Sequence, residues 1–353
     1  MPHTIAPSID GVSTSTAGFL GEAGQGPTDQ AELVTGLVDF QRIFGGPQSG
    51  LDLFLGVDQF FENGGNRAWV VRLSSRGLSD VRRALAAMDA VDDVSLLCLP
   101  GLIDKRILAE AATYARRRRA FFLADPAAST TATIEAVRAI SPADAGHAAV
   151  YVPQLQVPDP LQPSRTRLFG ASASVAGLLA RTDRERGVWA FAAGTTAYVA
   201  GAVGLASAID DSAAANLRAR GINAIREPPG HGIVVWGART VGGEAEEWKY
   251  VPVRRLALFI EESVHRGLKW TVFEPNDEPT WTLVRRQVTA FLDVLFRQGA
   301  FLGQTPQECY QVRCGPDTMT PSDLDRGDLV VEVGVAPIRP AEFVNIRIRR
   351  GRP

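Results

Sequence analysis

The sequence predicts an α/β protein: an open, mostly parallel sheet in its N-terminal region, then a smaller α+β region, with extended segments at the termini. Two observations carry the prediction. Between Arg67 and Val152 short apolar runs alternate with amphipathic stretches of helical length, the rhythm of strand, crossover helix and parallel strand. From Glu247 onward the spacing changes to two helical runs followed by two segments that alternate with period two.

The elements follow in order. "RAWVVRL", "VSLLCLPG", "AFFLADP" and "HAAVYVPQL" read as strands, and they are apolar throughout rather than alternating, as strands covered on both faces must be. "SDVRRALAAMDAV", "DKRILAEAATYARRRR" and "TATIEAVRAI" read as the helices between them. Prolines at 153, 158, 160 and 163 then interrupt regular structure, and the chain reads as Gly-rich and irregular to about Gly243. "EWKYVPVRRLALFIEESVHRGLKW" predicts a short strand and a helix, "TVFEP" a strand, and "PTWTLVRRQVTAFLDVLFRQGAF" a longer helix. In that helix Val284, Val288, Phe291, Leu292, Leu295 and Phe296 form an apolar stripe, with Arg286, Asp293 and Arg297 off it. "DLVVEVGVAP" and "EFVNIRIRR" predict strands on either side of the turn "IRPA".

Bulk properties narrow the function. A formal net charge of −2 provides no global attraction to nucleic acid or anionic membrane. The three cysteines, Cys98, Cys309 and Cys314, contain no C-x-x-C pair and fit a reducing compartment. The first residues lack the basic-then-apolar pattern of a secretion signal. Residues 190–209 are uncharged up to the length of a membrane span, but they are mostly Ala, Gly and Thr, which gain little from lipid.

Chemical motifs are scarce. No G-x-x-x-x-G-K-[ST] run occurs, and "GEAGQG" and "PPGHGIVVWG" read as turns. "GASASVAG" does not match a nucleophile elbow, so Ser172 and Ser174 are not candidates for that role. His3, His147, His231 and His265 have no ligand-like spacing. Arg116 to Arg119 read as the solvated last turn of a helix. The acids of "FEPNDEPTW" have two readings, a chemical cluster or a helix start. Asp277 and Glu278 sit where carboxylates cap a helix N-terminus, and Pro279 suits a first turn. With no His, Cys or Lys partner nearby in sequence, the capping reading is preferred. No catalytic residue, metal ligand or cofactor is expected.

The segment "YVPVRRLALFIEESVHRGLKWTVFEPNDEPTWTLVRRQVTAFLDVLFRQGAF" closely resembles the C-terminal domain of contractile phage tail sheath proteins. The resemblance continues through "TPQECYQVRCGPDTMTPSDLDRGDLVVEVGVAPIRPAEFVNIRIR". Upstream it is echoed by "GVSTSTAGFLGEAGQGP", "FFENGGNRAWVVRL", "RERGVW" and "IVVWGART". It extends to the sheaths of pyocin-like particles and extracellular contractile injection systems.

It implies a structural subunit, not an enzyme, that polymerises as a helical homopolymer of hexameric rings around an inner tube protein and contracts to drive the tube into a target. Baseplate and tail terminator proteins are implied partners, with paralogous sheath subunits as further candidates and neither nucleic acid nor membrane insertion expected. Assembly in the bacterial cytoplasm is implied, with the mature subunit in a phage tail or in an injection particle released outside the cell. The implied organisation is an N-terminal arm at 1–12, an α/β sheath domain at 13–243, a C-terminal sheath domain at 244–341 and a C-terminal arm at 342–353.

Arg285, Arg286 and Arg297 are the expected tube contacts. Ile5, Ile9, Val12, Phe343, Val344, Ile346 and Ile348 are the expected inter-subunit strand residues. Many relatives carry a "GVYVEE"-like segment before the motif at Gly11 to Glu22, where this chain has "MPHTIAPSID", so a shorter or differently paired N-terminal link is expected. The alternative is an α/β enzyme of unknown substrate, motivated by the turn at Leu123 to Pro126 at a strand's C-terminal end.

Overall fold

The computed structural model describes residues 8–125, 130–242, 248–338 and 344–351. They divide into two compact units, one of residues 13–255 and one of residues 1–12 with 256–353. The helix Val251–Gly267 carries the chain from one into the other.

In the larger unit the strands are β1 (Ala17–Gly21), β2 (Ala31–Val34), β3 (Ala68–Arg72), β4 (Leu96–Cys98), β5 (Phe121–Ala124), β6 (Ala148–Val152), β7 (Leu155–Asp159), β8 (Gln162–Phe169), β9 (Gly204–Leu205), β10 (Ile222–Arg226) and β11 (Val234–Val235). Eight of the described strands form one sheet in the order β11-β10-β6-β5-β4-β1-β3-β2. Its interior pairings, β10 to β6 through to β1 with β3, are all parallel, and only the outermost strands β2 and β11 run antiparallel to their neighbours. The predicted mostly parallel sheet is therefore present.

Alternate strand residues serve opposite faces. Leu20, Val71, Leu97, Phe122 and Val150 join a core with Leu85, Met88, Leu108 and Ala112 of the helices Leu78–Met88 and Lys105–Arg117. On the other face Phe19 meets Phe60 edge-on at 5.4 Å. Phe60 belongs to the helix Leu53–Glu62, which packs against the helix Ser172–Arg186. These two helices approach so closely at Gly177 that a Cβ there would overlap the carbonyl oxygen of Phe60.

Residues 153–242 hold more regular structure than their composition predicts. They hold the β7–β8 hairpin, the helices Ser172–Arg186 and Asp211–Arg218, and β10 and β11, which extend the main sheet. Pro158 lies at an irregularity in the β7–β8 pairing, a place where a strand tolerates a missing N–H.

Two buried polar pairs brace this unit. Arg255 grips Asp183 through both guanidinium nitrogens, at 2.6 and 2.9 Å, and donates also to the Thr14 carbonyl. His147 is buried beside Arg254, and burial first, then the Arg254 and Arg116 charges, lower its pKa from 6.5 to about 3. Because the folded pKa lies below the unfolded one, the neutral imidazole contributes stability that is complete above pH 6.5 and lost as pH falls toward 3. Urea unfolding of His147→Gln beside the parent at pH 7 and pH 5 is expected to show a smaller acid-induced loss in the variant. Equal losses would remove His147 from the account.

The second unit contains β12 (Tyr310–Arg313), β13 (Leu329–Val335) and β14 (Val344–Arg350), an antiparallel sheet with β13 in the middle. The helix Glu278–Arg297 packs against it, and Phe291 of that helix meets Phe259 at 5.8 Å. Val284, Val288, Phe291, Leu292 and Leu295 are buried, as the stripe predicted, while Phe296 is half-buried. The predicted strand "TVFEP" is absent among the described residues: Lys269–Phe273 form a 3-10 turn, closed by the Glu274 N–H donating to the Thr271 carbonyl at 3.1 Å. The short strand expected before the helix reduces to one bridge between Tyr250 and Arg239.

Candidate assembly surfaces

The acids of residues 273–281 hold the chain together locally. Asp277 is the N-cap of the helix Glu278–Arg297 and accepts from the Thr280 N–H at 3.2 Å. Asn276 Nδ2 donates to the Asp328 carbonyl, and its Oδ1 accepts from Trp281 Nε1. Glu278 accepts from Arg285 at 2.5 Å, and that guanidinium, with Thr282, holds its carboxyl below the usual range. Asp277→Ala is expected to cost about 1 kcal/mol through the lost cap and Asp277→Asn much less. Equal losses in urea unfolding would show that charge, rather than the capping bond, is what matters.

The turn that motivated an enzyme is also structural. Asp125 is buried at the end of β5, where it accepts from the Gly101 N–H at 2.9 Å and the Ser172 N–H at 3.0 Å. It ties the strand end to the start of the helix Ser172–Arg186. Burial pushes its pKa up. Pro126 lies outside the described residues. Among the described residues no cluster of potential metal ligands occurs, and no helix is long and apolar enough to cross a membrane.

The three arginines expected on one helix face do not share one environment. Arg285 is engaged at home, donating to Glu278, Thr282 and the Cys314 carbonyl. Arg286 is exposed and has no hydrogen bond or ion pair among the described residues, and Arg297 is exposed with a bond only to the Asp293 carbonyl. Eleven residues at about 100° each return within about 20° of the start, so Arg286 and Arg297 share one stripe. Val294, 42% exposed, lies near it.

The described candidate strand residues of the termini pack within this chain. Val344, Ile346 and Ile348 are opposite Val335, Val333 and Val331 of β13, and all six side chains are buried. Asn345, Arg347 and Arg349 point the other way and are exposed. Among the described residues β14 pairs along one edge only, to β13. Near the N-terminus, residues 8–12 contain no strand. Ile9 is buried beside Gly267, and the Val12 N–H donates to Ser263 Oγ at 3.1 Å. Ile5 and Phe343 lie outside the described residues.

A covered parallel sheet, a helix with a basic exposed stripe and a terminal strand at a sheet edge are features of a protein that works through its surfaces. Comparison with known proteins narrows this class. The phage tail sheath protein central domain matches residues 77–241, and the phage tail sheath C-terminal domain matches residues 244–350. The chain belongs to the contractile tail sheath family.

The tail sheath protein of Enterobacteria phage T4 is 26% identical over 50% of this chain, and the match spans only 26% of that longer protein. The anti-feeding prophage helical sheath in its contracted state is 28% identical with a TM-score of 0.80, over 96% of this chain and 94% of that one. The sheath of an extracellular contractile injection system, PVC, also contracted, is 29% identical with a TM-score of 0.80, over 98% and 94%. These relatives are structural sheath proteins.

Proposed function

We propose that the chain is the repeating subunit of a contractile sheath, stacking as hexameric rings into a helical homopolymer around an inner tube and contracting to drive that tube into a target. The likeness to two contracted sheaths along nearly its whole length is the observation that carries this reading. Residues 1–12 and 342–353 act as linking arms around a sheath domain at 13–243 and a C-terminal domain at 244–341. The physical logic lies in β14, whose seven-residue pairing to β13 is a separable unit. Made to the β13 of a neighbour, the same ladder would link subunits by main-chain bonds that survive large rigid movements. Baseplate and terminator proteins would close the two ends, with assembly in a bacterial cytoplasm and action in a phage tail or a released particle. Electron microscopy of the purified chain should show striated tubes, and dispersed globular particles at high concentration would refute the reading.

In this reading the Arg286 and Arg297 stripe meets the tube. Guanidinium groups suit an acidic tube surface because they grip carboxylates bidentately and stay charged. Arg286→Glu with Arg297→Glu should strip tubes from sheaths without unfolding the subunit. Arg285 is the wrong residue to reverse, since its bonds to Glu278 and Cys314 belong to the subunit itself. Filled, extended particles from the double variant would place the tube contact elsewhere.

A further inference from the structure

The Phe273 ring is 87% exposed, on a loop that is otherwise pinned. The 3-10 turn before it closes on Leu268 and Thr271, Pro275 stiffens the backbone after it, and Asn276 is bonded at both ends of its amide. An aromatic ring presented on so fixed a backbone loses little freedom when it binds, which is how interface anchors are built. The carboxylates beside it are Glu274 and Asp277, while Glu278 is paired with Arg285.

The larger unit contains a cleft of complementary chemistry. It has a volume of about 390 Å³ and opens between the helix Asp211–Arg218, the strand β10 and the segment Trp236–Arg239 that follows β11. Its aromatic walls are Phe191, Trp236 and Tyr250, with Phe191 set edge-on to Tyr250 at 5.8 Å and Trp236 40% exposed. Its charged walls are Arg218, Arg226 and Arg239. Arg226 lies 5.4 Å over Trp236 and Arg239 lies 5.3 Å over Tyr250. Asp211 is the one carboxylate among the lining residues; it pairs with Arg226 but is itself 93% exposed, so an incoming acid can take its place.

We propose that this cleft receives the Phe273 loop of a second copy of the chain. The ring enters beside Trp236 and the Phe191–Tyr250 pair, and Glu274 and Asp277 face Arg218 and Arg226. Aromatic rings favour edge-to-face settings of this kind, and arginine forks hold carboxylates at the rim. Donor and acceptor are different surfaces, so the contact is head-to-tail and propagates into a filament instead of closing as a dimer. The inference rests on the proposed self-assembly of the subunit and assigns one of its contacts.

Cysteine pairing tests it directly, because Cys98, Cys309 and Cys314 are all buried. Two full-length single variants, Phe273→Cys and Arg218→Cys, are mixed under assembly conditions and treated with a short bismaleimide. A covalent adduct between the two variants, absent when either is treated alone, is expected. In parallel, Phe273→Ala and Trp236→Ala should each raise the concentration needed for assembly by about tenfold or more. Arg218→Glu should do the same and be partly rescued by Glu274→Arg. A parent chain that never assembles overturns the self-assembly reading and this contact with it. A parent that assembles, together with an unaffected Phe273→Ala and no adduct, overturns this contact alone. Loss of assembly in Trp236→Ala with none in Phe273→Ala would assign the cleft to another occupant and equally overturn it.

Discussion

Removal of residues 342–353 will abolish sheath formation and leave subunits or irregular aggregates. The loss comprises the whole of β14, whose Val344, Ile346 and Ile348 are buried against β13. At about 1.5–3 kcal/mol for each fully buried aliphatic side chain, their burial is worth roughly 5–9 kcal/mol, comparable to the net stability of a typical domain. The truncation also uncovers Val331, Val333 and Val335, a flat apolar row that invites aggregation. Ile346→Asp is the gentler form of the experiment, since it keeps the chain length and introduces one charge on the buried face. Residues 2–8 should matter less, because the described part of that arm is anchored through Ile9 and Val12 and forms no strand. Sedimentation velocity and negative-stain imaging of both truncations decide the ranking. Regular sheaths from the C-terminal truncation, with none from the N-terminal one, would reverse it.

The second large effect is expected at Asp183. Its carboxylate and the Arg255 guanidinium are each almost wholly buried, at 6% and 4% side-chain exposure. Asp183→Ala leaves a charged guanidinium in a poorly solvated site with, among the described residues, the Thr14 carbonyl as its remaining hydrogen-bond partner, at an expected cost of about 3–5 kcal/mol. Replacing both partners with leucine removes the stranded charge and should recover most of that loss. Urea midpoints of the two single variants and the double variant measure the coupling. Single variants that each lose less than about 1 kcal/mol would show that water or a neighbouring group already satisfies the survivor.

Much of this protein was legible in the residues themselves. The strands β3 to β6 and the helices between them announce themselves because a doubly covered strand is an unbroken apolar run and its crossover helix is amphipathic. Asp277 as an N-cap, the buried stripe of the helix Glu278–Arg297 and the alternation of β13 and β14 are equally local facts. The resemblance to tail sheaths, read from long and specific segments, reached the right family.

Tertiary structure alone decided the rest, wherever a local signal was erased by packing. The helix Ser172–Arg186 is buried on nearly every side through Ala180, so no polar face marked its period, and its small residues fit only because another helix lies close at Gly177. "TVFEP" has strand-forming residues, yet Thr271 and Asn276 bond it into a turn, and Phe273 faces outward where a strand would have hidden it. Arg285 and Arg286 are adjacent in sequence and identical in type. They lie about 100° apart on the helix, and that rotation gives one to Glu278 and Cys314 and leaves the other to solvent. Side-chain period reports which face a residue occupies, whereas only the fold determines what waits on that face.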